Sequence, residues 1–368
     1  MRKSIVFLAC LVILGAALPV WAEPPESTPA PEMGAPKQET STPTVGEERR
    51  EEKKAASAVR VAEVERGGAL LPKWRILIEP FFEYNHISSQ NVSLSGFSVF
   101  EAILIGQVSV QKVKRDLYIP GVTLRLGLQD AELNVRIPWL FRTDKLIFPR
   151  SGGGTGDLIE KSFTGNGLGD IESYIYYHLV KEGKWKPWVP DIIFRLGGKF
   201  PTGTDPYHLR REFIQDLGST IATQFPTGTG HWGTSVGLNI VKSADPAVLF
   251  FNCAYFYNFV RAVGLAGDPP TDFGKIKLGN SFEYSIGLII ALQEKLSINF
   301  SYNQRLTGRT TQNGIYLTDT SFNAIAFNIG ATYVISPRTA LDFVVGIGLS
   351  PDAPNVSALV RMPWSFQL

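Results

Sequence analysis

The chain has 368 residues, of which 19% are charged and 11% are aromatic, and its formal net charge is +2. One apolar stretch, Ser4 to Trp21, approaches the roughly 18 residues that a membrane-spanning helix needs, which excludes a polytopic helical membrane protein. The near-neutral charge balance argues against nucleic acid as a partner, because nucleic-acid binders carry a concentrated basic face.

The first 22 residues have the pattern of a secretory signal peptide. Two basic residues precede an apolar core over residues 5–20, and Ala22 stands where a signal peptidase would cleave. We therefore expect residues 1–22 to be removed after export across the inner membrane. A lipoprotein signal at Cys10 is disfavoured because most of the apolar core follows that residue. Cleavage leaves Cys253 as the one cysteine, so no intramolecular disulfide is expected.

Two segments of different composition follow the signal. Residues 23–46 contain many prolines among Ser, Thr, Glu and Ala, which predicts a disordered linker. Residues 47–68 begin with a run of Glu, Arg and Lys whose i,i+4 spacing favours a short, solvated helix. The favoured interpretation of this segment is a frayed helix on a tether, and the alternative is a periplasmic contact arm or a plug. Residues 69–368 are expected to form a single barrel domain.

From Lys73 onward, apolar and polar residues alternate with a period of two. The alternation is clearest in residues 122–128, 131–139, 296–305 and 341–349. An alternating stretch of about ten residues is typical of a transmembrane β-strand with one face against lipid. Because a charge on the lipid face at mid-depth would cost about 2–4 kcal/mol, the charged faces of these strands are expected to point into a lumen.

Short and long connections alternate along the chain. Tight turns are predicted at 129–130, 182–184, 244–246, 293–294 and 336–338, and long loops at 142–166, 200–216, 260–278 and 307–321. This interleaving is typical of outer-membrane barrels, which have short periplasmic turns and longer outer loops. The sequence therefore predicts an all-β fold, an antiparallel up-and-down transmembrane β-barrel located in the outer membrane.

The number of strands follows from the length of the barrel region. At about 25 residues for a strand with its connections, the region from Lys73 to the end gives roughly 12 strands, and an even number keeps both termini in the periplasm. The alternation offers one more strand-like stretch than this. We expect the extra one to be 97–110, with 214–226 as the other uncertain place, and a barrel of about 14 strands as the alternative. An apolar stripe from Val360 to Leu368 is expected to close the barrel against the first strand.

The inward-facing polar side chains form the candidate functional site. The residues predicted to line the lumen are Arg75, Glu79, Glu83, Arg125, Glu132, Arg136, Asp170, Glu172, Tyr174, Tyr176, His178, Arg195, Lys199, Glu283 and Arg305. One hypothesis is a polar conduit with both signs of charge, in which the two tyrosines contact an aromatic or partly apolar solute. The alternative is that the charged groups satisfy one another inside a packed, closed barrel. Small barrels are filled by side chains and large ones enclose an open channel. A barrel of about 12 strands lies between these sizes, so the number of strands does not decide between the two hypotheses.

Motifs for catalysis, metals and cofactors are weak. The four histidines are dispersed and show no metalloprotease spacing. Residues 228–233 fit the G-x-G-x-x-G pattern but precede a strand and open no helix, so they are interpreted as a loop. We therefore expect no enzymatic activity, no cofactor and no metal site.

Several short motifs occur in the barrel region. They are Leu70-Leu71-Pro72-Lys73 with Ile78-Glu79-Pro80, the stretch 125–133, Lys199-Phe200-Pro201-Thr202-Gly203, and Lys242-Ser243 with Asp245-Pro246. Together they resemble a family of bacterial outer-membrane β-barrel transporters associated with the MetA pathway of phenol degradation. The resemblance covers about residues 70–368, and a second Pro-Thr-Gly at 226–228 departs from it. It implies passive uptake of small solutes, aromatic or hydrophobic compounds among them, and brings no catalytic residues.

The expected function is therefore a passive outer-membrane channel or transporter. Its expected partners are outer-membrane lipid, a small-molecule solute, and the barrel-assembly and periplasmic chaperone machinery. Two alternatives stay open. The first is a structural or assembly barrel with a plugged lumen and a periplasmic contact arm. The second, less favoured, is an outer-membrane lipid-modifying enzyme with a polar cluster at one rim.

Overall fold

The computed structural model describes residues 70–89, 112–149, 158–184, 186, 188–207, 209, 211–214, 219–222, 224–244, 247–265, 271–318 and 320–367. The segments 1–22, 23–46 and 47–68 and the stretch 97–110, for which the sequence made predictions, lie outside these residues. Among the described residues, no helix is long and apolar enough to cross a membrane.

The described secondary structure consists of twenty β-strands. They are β1 (Arg75–Ser89), β2 (Lys112–Gly127), β3 (Ala131–Pro149), β4 (Leu158–Leu168), β5 (Ile171–Val180), β6 (Asp191–Phe200), β7 (Arg211–Ile214), β8 (Ser219–Ala222), β9 (Gly233–Ala244), β10 (Ala247–Asn258), β11 (Arg261–Leu265), β12 (Thr271–Lys277), β13 (Ser281–Gln293), β14 (Leu296–Thr307), β15 (Thr311–Gln312), β16 (Ile315–Tyr316), β17 (Phe322–Ser336), β18 (Thr339–Gly348), β19 (Val356–Arg361) and β20 (Trp364–Gln367).

Twelve antiparallel wall strands close into one barrel, which confirms the predicted fold and strand number. The wall runs from β1 through β2, β3, β5, β6, β9, β10, β13, β14, β17 and β18 to β19 and β20. The last two strands pair back to β1, with Phe81 opposite Arg361 and Ile78 opposite Trp364. Closure satisfies the backbone N–H and C=O groups that an open sheet edge would leave facing lipid.

Two of the wall strands are interrupted. β4 and β5 both pair with β3 and together form one wall strand, which breaks at Gly169–Asp170. β19 and β20 form the last one, which breaks at Met362–Pro363. The wall closes without 97–110, because β1 pairs with β2 from Ile76 to Ser89 and with β19 and β20 on its other edge. In the uncertain region near 214–226, β7 and β8 pair with each other and not with the wall.

The connections fall into two classes at opposite ends of the barrel. One end, called the turn end here, carries the short links β2–β3, β9–β10, β13–β14 and β17–β18, together with β5–β6. The other end, called the loop end, carries the long ones. The prediction that 142–166 is a loop is wrong, because β3 and β4 continue as a hairpin paired from Trp139–Leu168 to Pro149–Leu158. The predicted loops 260–278 and 307–321 likewise contain β11, β12, β15 and β16, which form a separate small sheet.

Side chains on the wall strands alternate between two environments. Outward positions carry exposed apolar residues such as Trp139, Ile286 and Phe343. Inward positions carry buried polar residues such as Glu132 and Asn299. An apolar exterior around a polar interior is the pattern of a barrel that spans a membrane.

Candidate functional site

The residues predicted to line the lumen stand at wall positions that alternate with the exposed apolar ones. They lie on β1, β2, β3, β5, β6, β13 and β14, with Asp170 at the break between β4 and β5. Their side chains therefore point to the inner face. Contact between these side chains and a solute stays a prediction.

Two ion pairs on the inner face reach solvent. Arg136 Nη2 lies 2.9 Å from Glu83 Oε2, and the Arg136 side chain is 33% exposed. Glu283 pairs with Arg305 across β13 and β14, and the Glu283 side chain is 35% exposed. Because these side chains point inward from a closed wall, they are exposed to space inside the barrel. The lumen therefore holds water-sized space next to both signs of charge.

Near the turn end, by contrast, the inner face is dry. Arg125 Nε donates to Glu132 Oε1 at 2.5 Å, and the two side chains are 6% and 0% exposed. The backbone N–H of Leu71 donates to Glu132 Oε2 at 2.9 Å, and Leu71 packs against Gly127. The chain segment that leads into β1 thus lies on the inner wall. His178, also predicted to line the lumen, forms a separate contact with Asp191 at 2.9 Å.

A second dry cluster lies towards the loop end. Asp144 on β3 accepts hydrogen bonds from two guanidinium groups, from Arg115 at 2.5 Å and from Arg142 at 2.6 Å. The Arg142 guanidinium also lies over the ring of Phe225, 4.3 Å from its centroid. Sequence reasoning missed this cluster because it assigned the segment to a loop. The available signal was the i,i+2 spacing of Arg142 and Asp144.

Asp170 and Lys199 hold the connection between β6 and β9. The Asp170 carboxylate accepts hydrogen bonds from the backbone N–H groups of Gly203 and Thr229 at 3.2 and 2.8 Å, and Lys199 Nζ lies 3.8 Å from it. These contacts bring together the two Pro-Thr-Gly turns, 201–203 and 226–228, whose glycines touch. A side chain at either glycine would meet the backbone of the other turn.

His231, at the loop end outside the wall strands, is fully buried. Its Nε2 lies 2.7 Å from the hydroxyl of Tyr207, and its Nδ1 lies 3.2 Å from the carbonyl oxygen of Phe259. Burial lowers the pKa of His231 to about 4 and raises the pKa of the Tyr207 hydroxyl. Nearby, Arg261 pairs with Asp205 at 2.9 Å. In the part of the chain that the structure describes, no group of three His, Cys, Asp or Glu residues could hold a metal ion.

Five side chains on the inner wall cover glycines of a neighbouring strand. In each case the glycine is paired in register with the larger residue and sits on the next wall strand: Phe81 over Gly121, Tyr174 over Gly197, Phe250 over Gly287, Asn299 over Gly330, and Asn328 over Gly346. A Cβ atom at any of these glycines would overlap its partner. Covering a glycine across two strands is a known way for sheets to place a bulky side chain. Here it keeps these side chains along the wall.

Aromatic rings and guanidinium groups meet on the inner faces of β5, β6, β10 and β14. The Cζ atom of Arg195 lies 5.3 Å from the ring centroid of Tyr174 and 5.7 Å from that of Phe256. The Cζ atom of Arg305 lies 5.1 Å from the ring centroid of Phe256. We call Tyr174, Tyr176, Arg195, Phe256 and Arg305 the central cluster. All but Phe256 were among the predicted residues. Phe256 could not be singled out from the sequence, because aromatic residues occur on both faces of β10.

Comparison with one solved structure supports the fold. No protein-family profile matches the chain. An outer-membrane channel from Pseudomonas putida F1 superposes with a TM-score of 0.53 at 12% identity, over 80% of this chain and 97% of that one. The P. putida toluene transporter TodX gives a TM-score of 0.41 at 10% identity, over 81% and 91% of the two chains. For the Ralstonia pickettii toluene transporter TbuX the TM-score is 0.37 at 10% identity, over 81% and 90%.

At this level of identity, the first similarity shows the fold alone. The closed wall and its apolar exterior define the class as a β-barrel of the outer-membrane type. The resemblance to proteins of the MetA pathway of phenol degradation and the cleaved signal peptide stay predictions.

Proposed function

We propose that this chain is an outer-membrane channel for the passive passage of small solutes through its lumen. The observation that carries the proposal is the exposure of Arg136 and Glu283, which point inward from a closed wall and are about one third exposed. A barrel packed solid with side chains would leave these groups dry. The inner wall carries both signs of charge, so the path suits polar and charged species as well as water.

The aromatic rings of the inner wall extend the proposal to the solute. Arg136 lies over the ring of Phe81, 4.1 Å from its centroid, and the rings of the central cluster are also partly covered by guanidinium groups. Such surfaces can hold flat apolar bodies while the polar edges of the solute contact charged groups. Aromatic or otherwise hydrophobic compounds are therefore the proposed solutes.

The proposal also covers location and partners. The mature chain would reach the outer membrane after removal of residues 1–22, with the chaperone and barrel-assembly machinery inserting it among outer-membrane lipids. The exposed apolar girdle around the wall supports the lipid contact. The proposed role needs no cofactor and no catalysis.

A planar lipid bilayer tests the proposal. The refolded mature protein, residues 23–368, is compared with the same protein lacking residues 23–66, after heat-modifiable gel migration has shown that both are folded barrels. Discrete conductance steps from either protein support a channel. The absence of conductance steps from both folded proteins contradicts the channel proposal.

A structural or assembly barrel with a plugged lumen is the second candidate. The contact that favours it is the hydrogen bond from the Leu71 backbone to Glu132, because it places the chain leading into β1 on the inner wall. In the same experiment, steps that appear only in the shortened protein would show that residues 23–66 block a channel. Silence from both would favour the structural role.

A further inference from the structure

The link between β5 and β6 differs from the other connections at the turn end. It spans residues 181–190, whereas the short links β2–β3, β9–β10, β13–β14 and β17–β18 have at most three residues each. It contains three lysines and two tryptophans. A turn of two residues is enough to join two antiparallel strands. The length and the composition of this link are therefore not explained by strand pairing.

The first residues of the link are fixed by contacts with the connections on both sides. Lys181 Nζ donates to the carboxylate of Asp130, in the β2–β3 link, at 2.7 Å. On the other side, the Glu182 carboxylate accepts hydrogen bonds from Lys242 Nζ at 2.5 Å and from the Ser243 hydroxyl at 2.8 Å, both at the end of β9. The link is thus held in place, and both of these carboxylates already have a lysine partner.

Two lysines farther along the link have no such partner. Lys184 and Lys186 are exposed, and neither forms an ion pair with a described carboxylate. Lys184 lies within electrostatic range of Asp130, but that carboxylate is hydrogen-bonded to Lys181. Asp191, at the start of β6, belongs to the inner face of the wall. Two accessible ammonium groups can therefore bind an anion without displacing a carboxylate.

The link begins where the lipid-facing surface ends. On β5 the outward side chains of Tyr177 and Leu179 are 49% and 52% exposed, and the link starts two residues after Leu179. Within the link, Trp188 is 69% exposed, more than any other described tryptophan. Tryptophan is enriched at the boundary between membrane and water, and a lysine there lays its apolar stem against lipid with its ammonium group among the headgroups. Short turns of outer-membrane barrels face the periplasm, which places this link at the periplasmic leaflet.

We propose that Lys184, Lys186 and Trp188, called the turn patch here, bind the headgroup of an anionic phospholipid in the periplasmic leaflet. The two ammonium groups contact the phosphate, and the indole ring lies between the headgroup and the acyl chains. A zwitterionic phospholipid carries its own cation beside the phosphate and is disfavoured, because that cation competes with the lysines. The proposal requires a wall that lies in a bilayer and is independent of whether the lumen conducts.

Native mass spectrometry of the folded mature protein in a neutral detergent tests the proposal. Phosphatidylglycerol and phosphatidylcholine with the same acyl chains are added in separate titrations, and the bound lipids are counted. The first phosphatidylglycerol is expected to bind at about a tenfold lower concentration or less, because each lysine near an anionic headgroup strengthens binding several-fold. Glycerol 3-phosphate, which has the phosphate without the chains, should not displace it. Equal retention of the two lipids, or complete displacement by glycerol 3-phosphate, would overturn the proposal.

Variants locate the site, after heat-modifiable gel migration has shown that each one is a folded barrel. Lys184→Gln with Lys186→Gln should reduce the preference for phosphatidylglycerol to less than about twofold and leave phosphatidylcholine retention unchanged. Trp188→Ser keeps both lysines and should weaken the retention of both lipids. The matched control is Lys275→Gln with Arg309→Gln, which removes two exposed cations from the loop end. An equal loss of preference in this control would assign the effect to net charge and contradict the proposal.

Discussion

The ring of Phe250 on β10 covers Gly287, the residue opposite it on β13. The same arrangement recurs around the barrel, and in every case the glycine belongs to the next wall strand. Because a glycine has no side chain, it leaves a shallow recess in the inner wall that a neighbouring ring can fill. The recesses explain how a barrel with bulky inward residues can still keep space in its lumen.

Filling one recess should move the ring. In Gly287→Ala the new methyl group would overlap the backbone carbonyl oxygen of Phe300 and the Phe250 ring, so the backbone of the wall must shift locally and the ring must swing away from the wall into the lumen. We expect lower single-channel conductance and a loss of unfolding free energy of about 1–3 kcal/mol, as is usual for overpacking. Bilayer recording and urea unfolding in lipid vesicles measure the two effects.

Two further variants check that interpretation. The double variant Phe250→Ala with Gly287→Ala should regain conductance, because the displaced ring is gone, but should not regain stability, because the overlap with the Phe300 carbonyl oxygen is still there. Gly264→Ala is the matched control, since a methyl group there would meet nothing within 4 Å. If Gly264→Ala lowered conductance as much as Gly287→Ala does, the recess would not be the cause.

The wall strands could be predicted from the sequence wherever lipid lies on one side and water on the other. In residues 131–139 every outward position is apolar and most inward ones are polar, so the period of two is clear. In β10 the inward Phe250 and Phe256 alternate with outward Leu249 and Tyr255, so only Asn252 and Asn258 on the inward side distinguish the two faces. An apolar residue can be assigned to the inner face only when the glycines and guanidinium groups that it contacts on the neighbouring strands are known.

The extension of β3 and β4 was missed for the opposite reason. Beyond the lipid layer an outward position needs no apolar residue, and Lys145, with its side chain 51% exposed, stands at such a position. The apolar half of the alternation therefore disappears while the strand continues. The cross-strand register also could not be predicted from the sequence, because it depends on the stagger of the strands in the closed barrel. The pairing of Arg195 with ring neighbours, and not with a carboxylate, follows from that register.

Glu283 should influence the ion selectivity of the lumen. Its carboxylate pairs with Arg305 and also lies close enough to Arg195 to interact with its charge. Glu283→Gln therefore removes a negative charge beside two positive ones. We expect the reversal potential in a potassium chloride gradient to shift towards the chloride equilibrium potential. Glu160→Gln makes the same chemical change on the outer surface, where the side chain is 56% exposed, and should leave the reversal potential unchanged. A shift of equal size in both variants would rule out a lumen effect.

Glu132 should contribute more to stability than Glu83 does. Glu132 is fully buried and neutralises Arg125, which is itself 6% exposed, so Glu132→Gln removes the negative charge from a dry environment. A loss of about 3–5 kcal/mol in the free energy of unfolding is expected. Glu83→Gln removes the partner of Arg136, whose side chain is 33% exposed, and should cost about 1 kcal/mol or less. Urea unfolding of both variants in vesicles gives the comparison, and equal losses would show that the dry environment is not decisive.

Acid should loosen the packing around His231. Burial lowers its pKa to about 4, whereas in an unfolded loop the value is about 6.5. Because the unfolded form binds the proton more tightly, the stability contributed by neutral His231 is fully present above pH ~6.5 and is lost as the pH falls towards about 4. We expect amide hydrogens in 201–207 and 224–232 to lose protection against exchange over this range, once the intrinsic pH dependence of exchange is removed.

The control for this effect is His231→Gln, which can still hydrogen-bond the Tyr207 hydroxyl but does not titrate. Protection in that variant should be nearly independent of pH over the same window, although lower than in the wild type at neutral pH. Among the charged groups that act on His231, Lys199 and Arg261 disfavour an added positive charge on its ring, and Asp205 favours it. An equal acid-dependent loss of protection in the variant and the wild type would assign the effect to a different group, with Asp205 and Asp170 as the carboxylates to test next.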